Sequence, residues 1–131
     1  MSSATGLFDV KLTPQNDGHD PALGRMTLDK QFHGDLEATS CGQMLSASTA
    51  VKGSAAYVAI EIVSGTLGGH TGTFALQHTG TMNRGTPALS ILVVPDSATG
   101  QLSGLTGTMN INVAPDGKHT YEFEYALSES K

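Results

Sequence analysis

Two runs rich in β-branched and aromatic residues, Tyr57–Val63 and Thr71–Thr81, meet at Gly68-Gly69, and this pairing constrains the chain more than any other feature in it. Residues of these types favour extended backbone. A Gly-Gly pair tolerates the positive φ angles of a two-residue primed turn, so Leu67 is expected to face His70 and the two runs to pair without slippage behind it. Val63 then opposes Phe74, Glu61 opposes Leu76, Ala59 opposes His78 and Tyr57 opposes Gly80. Side chains alternate along a strand and opposed residues share a face. Tyr57, Glu61, Val63, Phe74, Leu76, His78 and Met82 therefore point one way, and Val58, Ile60, Ile62, Thr73, Ala75, Gln77 and Thr79 the other. Two half-apolar faces suit a sheet curled round its own interior, with loops or another subunit against the outside.

The flanking segments follow the same pattern. Alternation marks half-buried strands over Thr5–Thr13 and Leu23–His33. The polar loop Pro14–Pro21 between them carries His19, read as a solvated loop histidine. Gly34-Asp35 reads as a two-residue turn, which sets Phe32 against Glu37, Lys30 against Thr39 and Leu28 against Cys41. In that register Lys30 and Glu37 are diagonal neighbours on the face of Leu28 and Phe32. Held inside a barrel such a pair is costly and marks a functional site more often than a stabilising one; the competing reading is a mostly solvated pair near a barrel rim. Ser40–Lys52 alternates weakly and is expected to bend or bulge near Gly42. Pro87–Pro95 is a continuous apolar strand whose prolines limit its pairing, and Leu102–Ala114 is the next strand. Pro115-Asp116-Gly117 fits a type I turn closing on a left-handed glycine. Val113 then faces His119, Ile111 faces Tyr121, Met109 faces Phe123 and Gly107 faces Tyr125. The pentapeptide TGTMN occurs twice, at Thr79–Asn83 and Thr106–Asn110, as two strands with the same local job would have it.

No stretch longer than a turn reads as an amphipathic helix. About eight strands in meander order predict one all-β domain over 1–131, either a small closed antiparallel barrel or a sandwich. The formal net charge of -5 and pI near 5.3 argue against a nucleic-acid partner, which needs clustered cations. The apolar runs are too short to span a bilayer as a helix, and Met1–Thr13 lacks the basic start and apolar core of a secretory signal, so a cytoplasmic protein with no membrane partner is expected. Cys41 is the single cysteine, expected to be a buried, inert thiol. The histidines at 19, 33, 70, 78 and 119 show no ligand spacing, and phosphate-loop, HExxH, GxSxG and EF-hand patterns are missing, so neither a metal nor a cofactor is indicated.

What remains is Tyr57, Glu61 and His78, held by the central hairpin among Phe74, Leu76 and Met82, with Tyr121 and Tyr125 as apolar walls carrying a polar tip. A carboxylate and an imidazole in an apolar hollow can move a proton, with burial and mutual pairing expected to bring both groups toward neutrality. Glu61 and His78 are accordingly the catalytic candidates, and Lys30, Glu37, Tyr57, Glu61, Phe74, Leu76, His78, Met82, Tyr121 and Tyr125 the candidate ligand-binding residues. A satisfied polar network that only fixes barrel register is the competing reading. A lumen packed solid by Phe8, Phe32, Phe74, Tyr121 and Phe123 would leave a ligand no room.

The segments FHGDLEATSCGQMLSASTAVKGSAAYVAIEIVSGTLGGHTGTFALQHTGTM, LVVPDSATGQLSGLTGTM and HTYEFEY resemble a bacterial domain-of-unknown-function family, number 3224, across nearly the whole chain. The resemblance implies an eight-stranded barrel similar to the allene oxide cyclase type and related in shape to lipocalins, with no established activity. Allene oxide cyclases close a ring on a fatty-acid epoxide, but no cyclase motif maps onto this chain, and fold alone does not license function. The leading expectation is a module that binds a small, largely apolar molecule in the lumen. The alternatives are a cofactor-free isomerase or cyclase using acid–base chemistry, and a structural or interaction protein with a filled lumen, in which Val58, Ile60 and Ile62 mark the contact of a homo-oligomer.

Overall fold

A computed structural model describes residues 2–15 and 20–127; His19 lies outside them. Eight strands run in sequence: β1 Ser2–Pro14, β2 Leu23–Gly34, β3 Leu36–Ser48, β4 Ala55–Leu67, β5 His70–Asn83, β6 Thr86–Val93, β7 Leu105–Val113 and β8 His119–Leu127. Each pairs antiparallel with its neighbours, and β1 closes on β8 to complete a barrel in meander order. Eight strands enclose a space that side chains can just fill, or that holds one small ligand.

The central hairpin has the expected register. Gly68 and Gly69 take φ of 56° and 88°, and Leu67 faces His70, Val63 Phe74, Glu61 Leu76, Ala59 His78 and Tyr57 Gly80. The β7–β8 hairpin likewise closes on Gly117 in the left-handed region, with Val113 against His119 and Gly107 against Tyr125. Both copies of TGTMN thus set their glycine opposite a tyrosine. Val58, Ile60 and Ile62 point outward and are about half exposed.

The β2–β3 hairpin departs from expectation by one residue. Phe32 pairs with Ala38, Lys30 with Ser40, Leu28 with Gly42, and only Asp35 separates the two strands. A slip of one residue exchanges the faces of a whole strand. Here it buries Leu36, Ala38 and Ser40 and turns Glu37, Thr39 and Cys41 outward. Neighbouring strands hold this turn: the Asp35 amide donates to the Thr5 carbonyl, the Thr5 amide donates to Asp35 Oδ2, and the Leu36 amide donates to Tyr121 Oη at 2.9 Å. Burying Leu36 gains about 2 kcal/mol of apolar transfer, whereas burying Glu37 desolvates a carboxylate. Glu37 instead accepts the Gly34 amide at the surface, so it is no lumen residue, and Cys41 is exposed rather than buried.

Two further segments differ, and β6 pairs as sparingly as its prolines imply. The pairing of β3 runs unbroken through Gly42, with no bulge there; glycine is needed because a Cβ at 42 would stand 2.2 Å from the Ile60 carbonyl oxygen and 2.7 Å from Glu61 Cα. Leu102 belongs to a single 3₁₀ turn, Gly100–Leu102, and is fully buried as a plug at one barrel end. β6, bracketed by prolines, pairs with β7 only through Ile91–Met109 and Leu92–Thr108. Past Val93 the chain bonds to β5 instead, through Val94, Ser97 and Thr99.

The interior divides in two. Phe8, Phe32, Phe74, Tyr121 and Phe123 pack one half solid together with Leu36, Leu67, Leu76 and Leu102, all of them buried. The other half, toward the β3–β4 and β5–β6 connections, is not filled.

Candidate functional site

Four adjacent strands each send one polar side chain to a single buried point. Glu61 on β4 is the hub, with 0% exposure. Its Oε1 accepts from Ser40 Oγ at 2.8 Å, and its Oε2 accepts from Lys30 Nζ at 2.8 Å and from His78 Nε2 at 2.5 Å. The register explains the convergence. Glu61 faces Gly42 on β3, and the missing side chain there opens the way for Lys30 to reach across from β2. His78 faces Ala59 and so lies diagonal to both Tyr57 and Glu61. Its ring bridges them, with Nδ1 standing 3.2 Å from Tyr57 Oη.

The electrostatics follow from this geometry. Burial is the largest influence on Glu61 and alone would push its carboxyl up. The His78 hydrogen bond, the Lys30 charge and hydrogen bond, and the His78 charge together outweigh it and hold the group down at about 2. This corrects the expected drift toward neutrality, which pairs Lys30 with Glu37 and so omits the lysine charge beside Glu61. Lys30 is 8% exposed, and its ammonium also sits 5.1 Å from the Phe8 ring centre and 5.7 Å from that of Phe32, within cation–π range. Burial, then the charge of Glu61, raises the Tyr57 phenol. Among the described residues every buried side-chain nitrogen and oxygen has a hydrogen-bond partner.

Above this network the lumen opens into a cavity of about 450 Å³, lined by Met44, Ser46, Ala55, Tyr57, Gly80, Met82 and Leu89 among others. Tyr57 belongs to both: it lines the cavity and is the least buried residue of the network. Gly80 makes this possible, since a Cβ there would stand 2.5 Å from Tyr57 Cε1. Met82 and Leu89 are each 40% exposed, so the cavity is a cup open at the barrel mouth. Along this rim β6 has separated from β7, with no ladder beyond Ile91–Met109 toward the mouth.

The profile of a protein family of unknown function, DUF3224, matches residues 4–125. The chain belongs to the DUF3224 family. It is also similar to a solved protein of unknown function of that family from Shewanella oneidensis MR-1, with 53% identity over 99% of both chains and a TM-score of 0.93. None of the curated proteins matches it.

In this DUF3224 barrel the expected trio of Tyr57, Glu61 and His78 does come together, and Lys30 joins it. Met82 and Tyr57 line the cup. Phe74 and Leu76 lie instead in the packed half. Tyr121 is buried with its hydroxyl committed to the β2–β3 turn, where it donates to the His33 carbonyl, so its polar tip does not face a lumen. Burial, opposed in part by the Leu36 amide, raises that phenol. Tyr125 is half-buried against the core near Gly68, at the packed end. Sequence reasoning missed Ser40, Met44, Ser46 and Leu89. Their signal was alternation: once Leu36 is taken as buried, Ser40, Met44 and Ser46 follow on the same face of β3. Among the described residues no three His, Cys, Asp or Glu side chains converge as a metal site requires.

Proposed function

We propose that this barrel binds one small, largely apolar molecule in the cup between β3, β4, β5 and β6, with Tyr57 as its polar contact and His78, Glu61 and Lys30 as the scaffold behind that contact. The observation carrying this reading is the cavity itself: about 450 Å³ of space in a barrel whose other half is solid. That size and an apolar lining with one or two polar groups are what small-molecule sites have. Met44 and Met82 add side chains that repack around irregular ligands. Glu61 is enclosed on all sides, so it positions His78 and does not touch the ligand.

An uncharged naphthylamine dye that brightens in apolar surroundings tests the reading. One equivalent should bind, Leu89→Trp should fill the mouth and abolish uptake, and Ile60→Ser on the outer wall should leave uptake unchanged. Full uptake by Leu89→Trp, or loss with Ile60→Ser alone, would place the dye on the outside and end the proposal.

A second reading, a cofactor-free isomerase or cyclase, draws on the hydrogen-bonded sequence Tyr57–His78–Glu61. A phenol held against an imidazole that is itself oriented by a carboxylate is a general acid–base arrangement. Tyr57 would then touch substrate, and Glu61 would act through His78. Native mass spectrometry of protein taken from its source cell identifies a passenger. Conversion of that passenger by the wild-type protein and not by Tyr57→Phe favours the enzyme, while unchanged release favours the binder.

A further inference from the structure

The network beneath the cup dictates which polar group a ligand must carry, an inference that rests on the cup being the binding site. A carboxylate only accepts hydrogen bonds, so the His78 nitrogen at 2.5 Å from Glu61 Oε2, Nε2, bears hydrogen. A neutral imidazole has one N–H, and its other nitrogen offers a lone pair. Nδ1 therefore accepts, and the group 3.2 Å from it, the Tyr57 hydroxyl, donates. A phenol has a single O–H. With that hydrogen turned inward to His78, the Tyr57 oxygen has only lone pairs left for any further partner.

The remaining polar groups do not reverse this polarity. The Lys30 ammonium is buried beside Glu61, with the Phe8 and Phe32 rings about it, and it is not among the residues lining the cup. Ser46 faces Tyr57 across β3 and β4, and its hydroxyl can donate or accept, so it does not discriminate. Thr81 also borders the cavity, but it lies on the outward parity of β5. We infer that the cup selects an uncharged, largely apolar molecule bearing a hydroxyl or N–H donor, and discriminates against the ketone, thioether or carboxylate of the same skeleton.

Two matched pairs test this, 1-indanol against 1-indanone and indole against benzothiophene. Each probe is titrated into the wild-type protein under the same buffer conditions. The donor of each pair should bind about fivefold tighter, the worth of one net hydrogen bond near 1 kcal/mol. Tyr57→Phe should remove the preference while still binding all four probes, and Ser46→Ala should keep it. Ketone and alcohol binding equally well to the wild type, or a preference surviving in Tyr57→Phe, overturns the inference and leaves the cup as a binding site. Failure of all four probes to bind the wild type removes the binding reading and this inference together. The wild-type comparison is decisive even if Tyr57→Phe folds poorly.

Discussion

One end of this barrel is solid and the other hollow, although the same alternation of side chains built both. The difference is residue size at inward positions. Toward the Gly68-Gly69 hairpin those positions hold Phe8, Phe32, Leu36, Phe74 and Phe123, and Leu102 plugs the end. Toward the mouth, β3 to β6 hold Met44, Ser46, Ala55, Tyr57, Gly80, Met82 and Leu89, among which Ser46, Ala55 and Gly80 are small. Pairing reinforces the contrast, because β4 and β5 bond along their full length whereas β6 leaves β7 after two pairs. The Lys30–Glu61–His78 network lies at the boundary, where it floors the cup and roofs the core. A closed sheet with small residues at one end can keep space open because its other end already supplies the apolar burial that folding requires.

The largest expected effect separates the two halves directly. Phe123→Ala should cost roughly 3–5 kcal/mol in urea unfolding, since it empties the centre of the aromatic cluster, where Phe123 stacks on Phe74 at 5.9 Å and on Tyr125 at 5.3 Å. Met82→Ala at the mouth should cost under about 1 kcal/mol, because its side chain is already part-solvated. Equal losses at the two positions would mean that the halves are packed alike.

Acid titration probes the boundary. The folded Glu61 carboxyl is held at about 2 against an ordinary 4.5. Its contribution is therefore fully present above about pH 4.5 and fades as pH falls toward 2, amounting to about 3 kcal/mol by linkage. Unfolding free energies measured from neutral pH down to that range should show this loss in the wild type. The double variant Lys30→Met/Glu61→Leu should have a shallower acid limb. At neutral pH it should be less stable by roughly 1–3 kcal/mol, because the buried His78 Nε2 and Ser40 Oγ lose the carboxylate that accepts from them. Parallel acid limbs in the two proteins would show that the network does not carry this pH dependence.

The same boundary marks how far the sequence could be read. The central hairpin was legible because an even, two-glycine turn sets register locally, and it brought Tyr57, Glu61 and His78 to one face. The β2–β3 turn was not, because Thr5 and Tyr121, distant in sequence, hold Asp35 alone at its apex. The conflict was already visible in the residues: the two-residue turn would bury Glu37 and expose Leu36, and burial should have outranked turn type. With that one slip Lys30 went to the wrong carboxylate, and the direction of the Glu61 shift went with it. The cup's position depends on where β6 leaves β7, which the prolines hinted at without locating.

A small expected effect on stability has the sharpest functional consequence. Gly42→Ala and Gly80→Ala both add a methyl beside β4, but the methyls meet different things. At 42 the nearest atoms are the Ile60 carbonyl oxygen and Glu61 Cα, backbone that can yield only if the strands part. At 80 the close contacts are Tyr57 Cε1 at 2.5 Å and Cδ1 at 2.9 Å, then Leu89 Cδ1 at 3.3 Å. These belong to side chains at an open mouth, where the ring has room to swing outward. Gly80→Ala should therefore cost only about 1 kcal/mol in unfolding. Swinging the ring also withdraws the Tyr57 hydroxyl from His78 Nδ1, so any preference for a donor ligand should disappear while the fold and the solid half stay intact. A Gly80→Ala protein that unfolds as readily as Phe123→Ala would show the mouth to be as tightly packed as the core.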